Sequence, residues 1–279
     1  MKLPNNPLAN IPIAALIGLI LTTLFVVAAV FAPWIAPYSL SESVGDMWES
    51  SSAVHWLGTD NLGRDLFSRL LYGARTTMTI AALATALAFS LGSILGILAA
   101  VLGGWADQLM SRTIDLLMSI PTLIFALVVL SVMPSTTIIL VLVMGILDST
   151  RVYRIARAVA VDINVQDFVE AARLRGEGRV WIIFREILPN ALSPLVAELG
   201  LRFIFAVLFL SSLSFLGLGV QPPEADWGSM VRENRQGIVF GVPAALIPAG
   251  AIALLAISVN LVADWVLRRT TDLKGGRSG

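Results

Sequence analysis

The sequence predicts an all-α integral membrane protein with six transmembrane helices and both chain ends in the cytoplasm. Three observations lead to this prediction. Of the 279 residues, 57% are hydrophobic and 14% are charged, whereas about a quarter of the residues are charged in soluble domains. Six stretches are apolar enough to be membrane spans. The basic residues are concentrated on the side that would face the cytoplasm.

The six apolar stretches cover residues 11–35, 76–102, 113–133, 136–147, 194–218 and 242–267, and the fourth is the shortest. Because lipid cannot satisfy backbone hydrogen-bonding groups, each stretch is expected to be helical. The first is about as long as a full bilayer span and follows only one basic residue, Lys2. We therefore expect an uncleaved helix there and not a secretory signal peptide.

The distribution of Lys and Arg predicts the orientation. With the N-terminus in the cytoplasm, 13 of the 19 basic residues lie on the inner side, five lie on the outer side, and Arg202 lies within a span. This excess agrees with the positive-inside rule. The inner set is Lys2, Arg112, seven arginines from Arg151 to Arg185, Arg268, Arg269, Lys274 and Arg277.

Composition also excludes several function classes. The chain has no cysteine and a single histidine, His55, so no disulfide framework, thiol nucleophile or Cys/His metal cluster is expected. A phosphate-binding loop requires a Gly-Lys pair, and none occurs. We therefore predict no metal, ATP or magnesium site and no enzymatic activity in this chain. The zero net charge indicates no nucleic-acid partner.

The chain divides into two predicted parts. Residues 1–75 form an N-terminal segment with the first transmembrane helix and an amphipathic outer loop. Residues 76–279 form the core domain with five transmembrane helices and a basic inner loop. In the outer loop, Asp60 is expected to cap a helix that carries Leu62, Leu66 and Leu70. His55 is expected to be solvated.

The inner loop carries the strongest local pattern. It reads EAARLRG from Glu170 to Gly176 and ILPN from Ile187 to Asn190. The pattern predicts two short helices joined at a glycine, with Asn164 or Asp167 as the cap of the first. Small residues beside an acidic one allow close docking into a groove of another protein. Contact of the seven inner-loop arginines with anionic lipid is the alternative, or an addition.

These motifs resemble a known family. EAA, then glycine, then ILPN is similar to the coupling loop of bacterial ATP-binding-cassette (ABC) import permeases. Three further passages resemble the dipeptide, oligopeptide and nickel group, in its second or C-type permease. They are LGTDNLGRD from Leu57 to Asp65, LSFLGLG from Leu213 to Gly219, and ADWGSM from Ala225 to Met230.

The resemblance implies a type I importer permease fold, in which the inner helix sits in a cleft of a cytoplasmic ATPase. Closure of the ATPase dimer would then switch the spans between inward-open and outward-open states. The residues carried over to this coupling role are Glu170, Ala171, Ala172 and Gly176, with Arg173 in support. The sequence departs from the family at residues 174–175 and 177–178, where the extra charge is expected to change which ATPase docks.

The resemblance also implies partners and a location. A paralogous permease would complete a heterodimer, and two ATPase subunits or domains would bind ATP and magnesium. A periplasmic or extracellular solute-binding protein would deliver the solute to a multi-pass protein of the bacterial inner membrane, in contact with lipid. Small peptides are the first expected substrate, with nickel and opines as alternatives. A channel or an ion-coupled secondary transporter is the alternative function class.

Two further sets of polar residues are candidate sites. Glu198 and Arg202 are four residues apart on one face of the fifth span, which fits either a translocation path or an intrahelical ion pair. The second set is expected to contact the binding protein or to pack within the outer loops, and Trp227 is expected to lie at the membrane interface. Its members are Asp60, Arg64, Asp65, Asp226 and Trp227.

Overall fold

The computed structural model describes residues 11–134 and 136–275, and it describes their side chains except at residues 197 and 269–275. Lys2 and Arg277, which contributed to the predicted orientation, lie outside this part of the chain. The helices described are α1 (Ile13–Ile35), α2 (Leu66–Leu102), α3 (Gly104–Ser119), α4 (Thr122–Val132), α5 (Thr137–Asn164), α6 (Asp167–Leu174), α7 (Arg179–Trp181), α8 (Leu188–Phe215), α9 (Trp227–Asn234) and α10 (Leu246–Gly275).

The described residues confirm the all-α fold. They contain no β-strand, only two isolated bridges in the outer loop. A π-helical segment, Ile182–Ile187, joins α7 to α8, and two 3₁₀ segments, Arg235–Phe240 and Pro243–Ala245, join α9 to α10. The chain is therefore a helical bundle with one long outer loop before α2 and the short helix α6 on its inner side.

The predicted count of six spans is not confirmed. Over residues 11–134 and 136–275, four helical segments are long and apolar enough to cross a membrane, or five if the bent pair of α3 and α4 counts as one span. The apolar part of α5 ends at Leu147 and covers only about 16 Å, and charged residues follow from Asp148 onward. The four segments are Ile13–Ile35, Leu66–Leu102, Glu198–Phe215 and Pro243–Arg268.

The third predicted span, residues 113–133, is wrong as a single straight helix. It corresponds to the end of α3 and all of α4, which meet at an angle of 82°. The break falls at Ile120, which is extended, and at Pro121, whose ψ of 120° is not helical. Proline lacks the N–H that would continue the helix, and it disfavours helical geometry at the residue before it.

Helix α2 is longer than predicted, because the amphipathic outer segment and the second span form one helix of 37 residues. Its N-terminal cap is Asp65, whose carboxylate accepts a hydrogen bond from the backbone N–H of Ser68 at 2.8 Å. The prediction that Asp60 caps this helix is therefore wrong. The predicted division at residues 75 and 76 falls inside α2.

The pairing of α2 with α5 depends on glycines. A Cβ atom placed on Gly92 would lie 2.6 Å from the backbone oxygen of Ser149, and one on Gly96 would lie 2.7 Å from that of Tyr153. The two backbones therefore approach more closely than any larger residue allows, as in small-residue interfaces of membrane helices. This contact makes α2 and α5 the central pair of the bundle.

Candidate functional site

The inner helix α6 is anchored to the bundle by one face. Val169 and Ala172 are fully buried, whereas Glu170, Ala171 and Arg173 are exposed. The apolar cluster around the two buried residues combines side chains from α2, α5 and the π-helical segment, namely Ile97, Ala100, Ala160, Ile182 and Ile187. Of the five predicted coupling residues, Ala172 therefore serves as an anchor.

The predicted cap of α6 is wrong. The helix begins at Asp167 after Gln166, and the side chain of Gln166 makes no capping hydrogen bond. Asn164 instead ends α5, where its amide nitrogen donates to the carbonyl oxygen of Ala100 at 3.2 Å and its amide oxygen accepts from the guanidinium of Arg173. Arg173 thus ties α6 to the end of α5.

The glycine junction after α6 is confirmed. Gly176 has a φ of +86°, a left-handed conformation that side chains other than glycine rarely adopt. Its N–H donates to the carbonyl oxygen of Arg173 at 2.9 Å. A Cβ atom at this position would meet no other atom within 4 Å. The requirement for glycine is therefore conformational and does not arise from crowding.

The second short helix of the inner loop runs into α8 without a break. From Arg179 the chain continues through the π-helical segment into α8, and the N–H of Leu188 donates five residues back to Ile183. This wider turn precedes Pro189, whose ring would crowd the carbonyl group four residues earlier in a regular α-helix. The residues that hold α6 are therefore continuous with a membrane helix.

The inner loop also exposes large apolar side chains. Leu174 is 84% exposed, and Val180 and Phe184 are also exposed. Together with Glu170 and Ala171 they form a surface of mixed charge and apolar character, which we call the inner surface. Exposed apolar residues rimmed by charges are typical of protein interaction sites.

The charged pair within the bundle is brought together as predicted. The guanidinium of Arg202 lies 2.6 Å from the carboxylate of Glu198, and on its other side 3.4 Å from the carboxylate of Asp148 on α5. The intrahelical ion pair is therefore present and extends to a neighbouring helix. Arg202 also stands over the ring of Phe205, 5.0 Å from its centre.

The five outer candidates are buried within the chain. Asp60 accepts hydrogen bonds from the backbone N–H groups of Leu62 and Arg64 and from the Arg64 guanidinium. Asp226 caps α9 by accepting from the N–H groups of Gly228 and Ser229. These side chains face inward and hold the outer loops together, so a contact with a binding protein stays a prediction for the loop surface that they support.

The prediction that Trp227 lies at the membrane interface is wrong. Trp227 is 1% exposed and its indole N–H donates to the carbonyl oxygen of Leu70 on α2 at 3.0 Å. Its backbone N–H donates to the hydroxyl of Thr77 on the same helix. Trp227 thus fixes α9 against α2, because its ring and both its N–H groups are satisfied inside the chain.

The prediction of a solvated histidine is also wrong. His55 is 5% exposed, and its Nδ1 lies 3.3 Å from a carboxylate oxygen of Asp65. Among the described residues, no group of three His, Cys, Asp or Glu side chains is placed to hold a metal ion. His55 therefore belongs to the packing of the outer loop.

Sequence reasoning missed two residues that organise this outer region. The carboxylate of Glu233 on α9 receives Arg64 at 2.8 Å and Arg69 at 2.9 Å. Burial raises the pKa of Glu233, and the charge of Arg64 opposes that rise. Asn234 accepts hydrogen bonds from the N–H of Asn61 and the indole N–H of Trp48. Separations of more than 160 residues left no local signal in the sequence.

The helical bundle is that of a multi-pass α-helical membrane protein. Residues 92–272 match the family described as "Binding-protein-dependent transport system inner membrane component". Residues 14–50 match the "N-terminal TM domain of oligopeptide transport permease C". The chain therefore belongs to the family of bacterial inner-membrane permease components of ABC transporters that depend on a binding protein.

Several curated relatives cover most of the chain. It is 33% identical to a dipeptide transport permease, DppC, of Alkalihalophilus pseudofirmus over 93% of this chain and 86% of that protein. It is 36% identical to a di/tripeptide permease, DppC, of Pseudomonas aeruginosa over 93% and 88%. A glutathione transport permease, GsiD, of Pectobacterium atrosepticum is 34% identical over 90% and 84%.

Proposed function

We propose that this chain is one permease half of an ABC importer that carries small peptides inward, driven by ATP hydrolysis in partner subunits. The observation that carries the proposal is the two-sided packing of α6. One face of α6 is buried on α2, α5 and the π-helical segment, and the other is exposed as part of the inner surface. The relatives are named as dipeptide, di/tripeptide and glutathione permeases, which supports peptides as the solute.

Coupling follows from the connections of α6. A partner that moves α6 also moves α2, which is about 55 Å long and reaches from the inner loop to the buried outer loop. Glu170, Ala171 and Arg173 present the contact, and Ala172 anchors the helix. The left-handed conformation at Gly176 turns the chain back toward α8. Motion of the ATPases would thus be transmitted through α6 to α2 and α8 at once.

The partners of this chain complete the proposal. A paralogous permease would form the other half of a heterodimer. Two ATPase subunits or domains, which would themselves bind ATP and magnesium, would dock on the inner surface. A periplasmic or extracellular binding protein would deliver the solute at the outer loops. This chain itself would bind neither ATP nor a metal and would catalyse no reaction. Nickel and opines are the alternative solutes for the same arrangement.

The proposed docking is tested by Glu170→Lys in the assembled transporter. We expect the variant to insert and to retain its permease partner, but to copurify with much less ATPase, because the added cation replaces an exposed acid on the docking face. Asp115→Lys is a matched control, since its exposed ion pair with Arg154 is worth at most about 1 kcal/mol. Equal ATPase recovery in both variants would contradict the role of α6.

A second measurement separates an ABC importer from a channel or an ion-coupled transporter. Proteoliposomes with the full complex and its binding protein are loaded with ATP or with a non-hydrolysable analogue on the ATPase side. Uptake only with hydrolysable ATP is expected. Uptake that follows an ion gradient and ignores ATP would favour the secondary transporter, and passive equilibration would favour the channel.

A further inference from the structure

A cavity of about 490 Å³ lies between α2, the start of α4, α5 and α8. Most of its wall is apolar, from residues such as Met144, Leu147 and Phe209, but Thr85, Asp148 and Arg151 also line it. Ligand sites in proteins have this size and this combination of apolar walls with a few polar groups. The cavity therefore has the dimensions and the surface of a solute site.

Two buried polar atoms at this cavity lack a partner. Thr85 is 4% exposed, and its hydroxyl oxygen has no hydrogen-bond partner within the described part of the chain. The same holds for Oδ2 of Asp148, whose other oxygen faces Arg202. An unsatisfied buried polar atom costs about 1–3 kcal/mol. Both atoms therefore gain if a solute with hydrogen-bond donors occupies the cavity.

A positive group stands at the same cavity. The guanidinium of Arg151 lies over the ring of Phe205, 5.7 Å from its centre, and it forms no ion pair within residues 11–134 and 136–268. Oδ2 of Asp148 has no hydrogen-bond partner, and no described carboxylate lies within ion-pair distance of Arg151, whose charge acts on Asp148 from further away. The cavity thus offers one negative and one positive group to a single solute.

We infer that this cavity is a transient subsite for the two charged ends of a short peptide, an assignment that rests on the proposed function. The peptide's ammonium group binds Oδ2 of Asp148 and the Thr85 hydroxyl, and its carboxylate binds Arg151. The apolar wall accepts side chains of differing size, since it makes no directional bonds. Charged termini are common to all short peptides, so the site recognises the terminal groups and is independent of the peptide's sequence.

The test uses the full transporter with its binding protein in proteoliposomes. The probes are a defined mixture of di- and tripeptides, the same mixture N-acetylated, and the same mixture amidated at the C-terminus. Uptake of each is measured by mass spectrometry for the wild type, Asp148→Asn and Arg151→Gln. Because one binding protein serves all three transporters, a change in the ratio between probes comes from the permease.

The expected result is a crossed loss of preference. Asp148→Asn lowers the ratio of free to N-acetylated uptake about tenfold and leaves the ratio of free to amidated uptake unchanged. Arg151→Gln lowers the ratio of free to amidated uptake about tenfold and leaves the ratio of free to N-acetylated uptake unchanged. Asp115→Asn, which neutralises an exposed acid on α3, keeps both ratios. Glu198→Gln removes the other acid from Arg202 without altering the cavity wall, so it changes the rate but neither ratio.

Two outcomes would overturn the subsite. Peptide import with unchanged ratios in Asp148→Asn and Arg151→Gln would show that the cavity does not read the termini. Loss of the second permease on purification of Asp148→Asn would assign the carboxylate to the subunit interface instead. Absence of ATP-driven peptide uptake by the wild type, with normal docking of the ATPase, would refute the proposed peptide substrate itself and the subsite with it.

Discussion

Replacement of Asp60 by asparagine should open the outer loop, because this carboxylate neutralises two buried arginines. Asp60 is fully buried and lies 2.7 Å from the guanidinium of Arg64 and 3.0 Å from that of Arg69. In Asp60→Asn, an amide N–H₂ group can take the place of Oδ2, so donors would face donors. Glu233 would then be the only acid left to both arginines.

The size of this effect follows from the burial of the group. Loss of one partner from a buried ion pair costs about 3–5 kcal/mol. If that free energy is lost from local opening of the outer loop, hydrogen exchange of its backbone amides should accelerate by roughly 10² to 10⁴. The affected amides are those that the loop holds by internal hydrogen bonds, including the N–H of Trp48 to the carbonyl of Asp60.

Hydrogen exchange with mass spectrometry on the reconstituted transporter measures this opening. Asp46→Asn is the matched control, because it removes the same charge from an exposed position of the same loop. We expect the control to exchange like the wild type. Peptides from α5 report whether the bundle itself stays folded. If Asp60→Asn and Asp46→Asn exchange alike in residues 36–65, the buried charges do not hold the loop closed.

Two further predictions concern stability. Burial raises the pKa of Asp226 to about 6. The folded protein therefore keeps a proton on Asp226 that the unfolded chain releases from about pH 4 upward. The free energy of unfolding should fall by roughly 3 kcal/mol as the pH rises from about 4 to 6. In detergent, the unfolding temperature should fall less steeply with rising pH for Asp226→Asn than for the wild type, and as steeply as in the wild type for the exposed Glu224→Gln. Equal dependence on pH in all three proteins would refute this. Gly92→Ala should lower the unfolding temperature, since overpacking against Ser149 costs about 1–3 kcal/mol. Gly250→Ala, whose added Cβ meets no atom within 4 Å, should not lower it, and an unaffected Gly92→Ala would contradict close packing of α2 on α5.

Features that depend on neighbouring residues were predicted well. Most of each apolar stretch is helical, apart from the break at Ile120 and Pro121, because a run of apolar residues has the same requirement for internal hydrogen bonds at every position. The glycine junction at Gly176 was also predicted, since its cause is a backbone conformation. The ion pair of Glu198 with Arg202 follows from a spacing of four residues on one helix.

Features that depend on distant parts of the chain were missed. Asp60 was assigned a local role as a helix cap, whereas its carboxylate pairs with Arg64 and Arg69. Both arginines also pair with Glu233 of α9. Trp227 was placed at the membrane interface because tryptophan is frequent there. Its burial against α2 depends on how α9 folds back, which no local pattern encodes.

The sequence by itself determined the class of this protein: an α-helical membrane permease with a basic inner loop and an EAA helix. Composition suffices for the α-helical membrane protein, because hydrophobicity and helix geometry act locally, and the resemblance of the short motifs to a known family implied the permease and its EAA helix. Only the tertiary structure decided which face of α6 is exposed, that Asp148 shares Arg202 with Glu198, and that Thr85 and Arg151 line one cavity with Asp148. Those relations join residues that are far apart in sequence, so they arise from packing of the helices against one another.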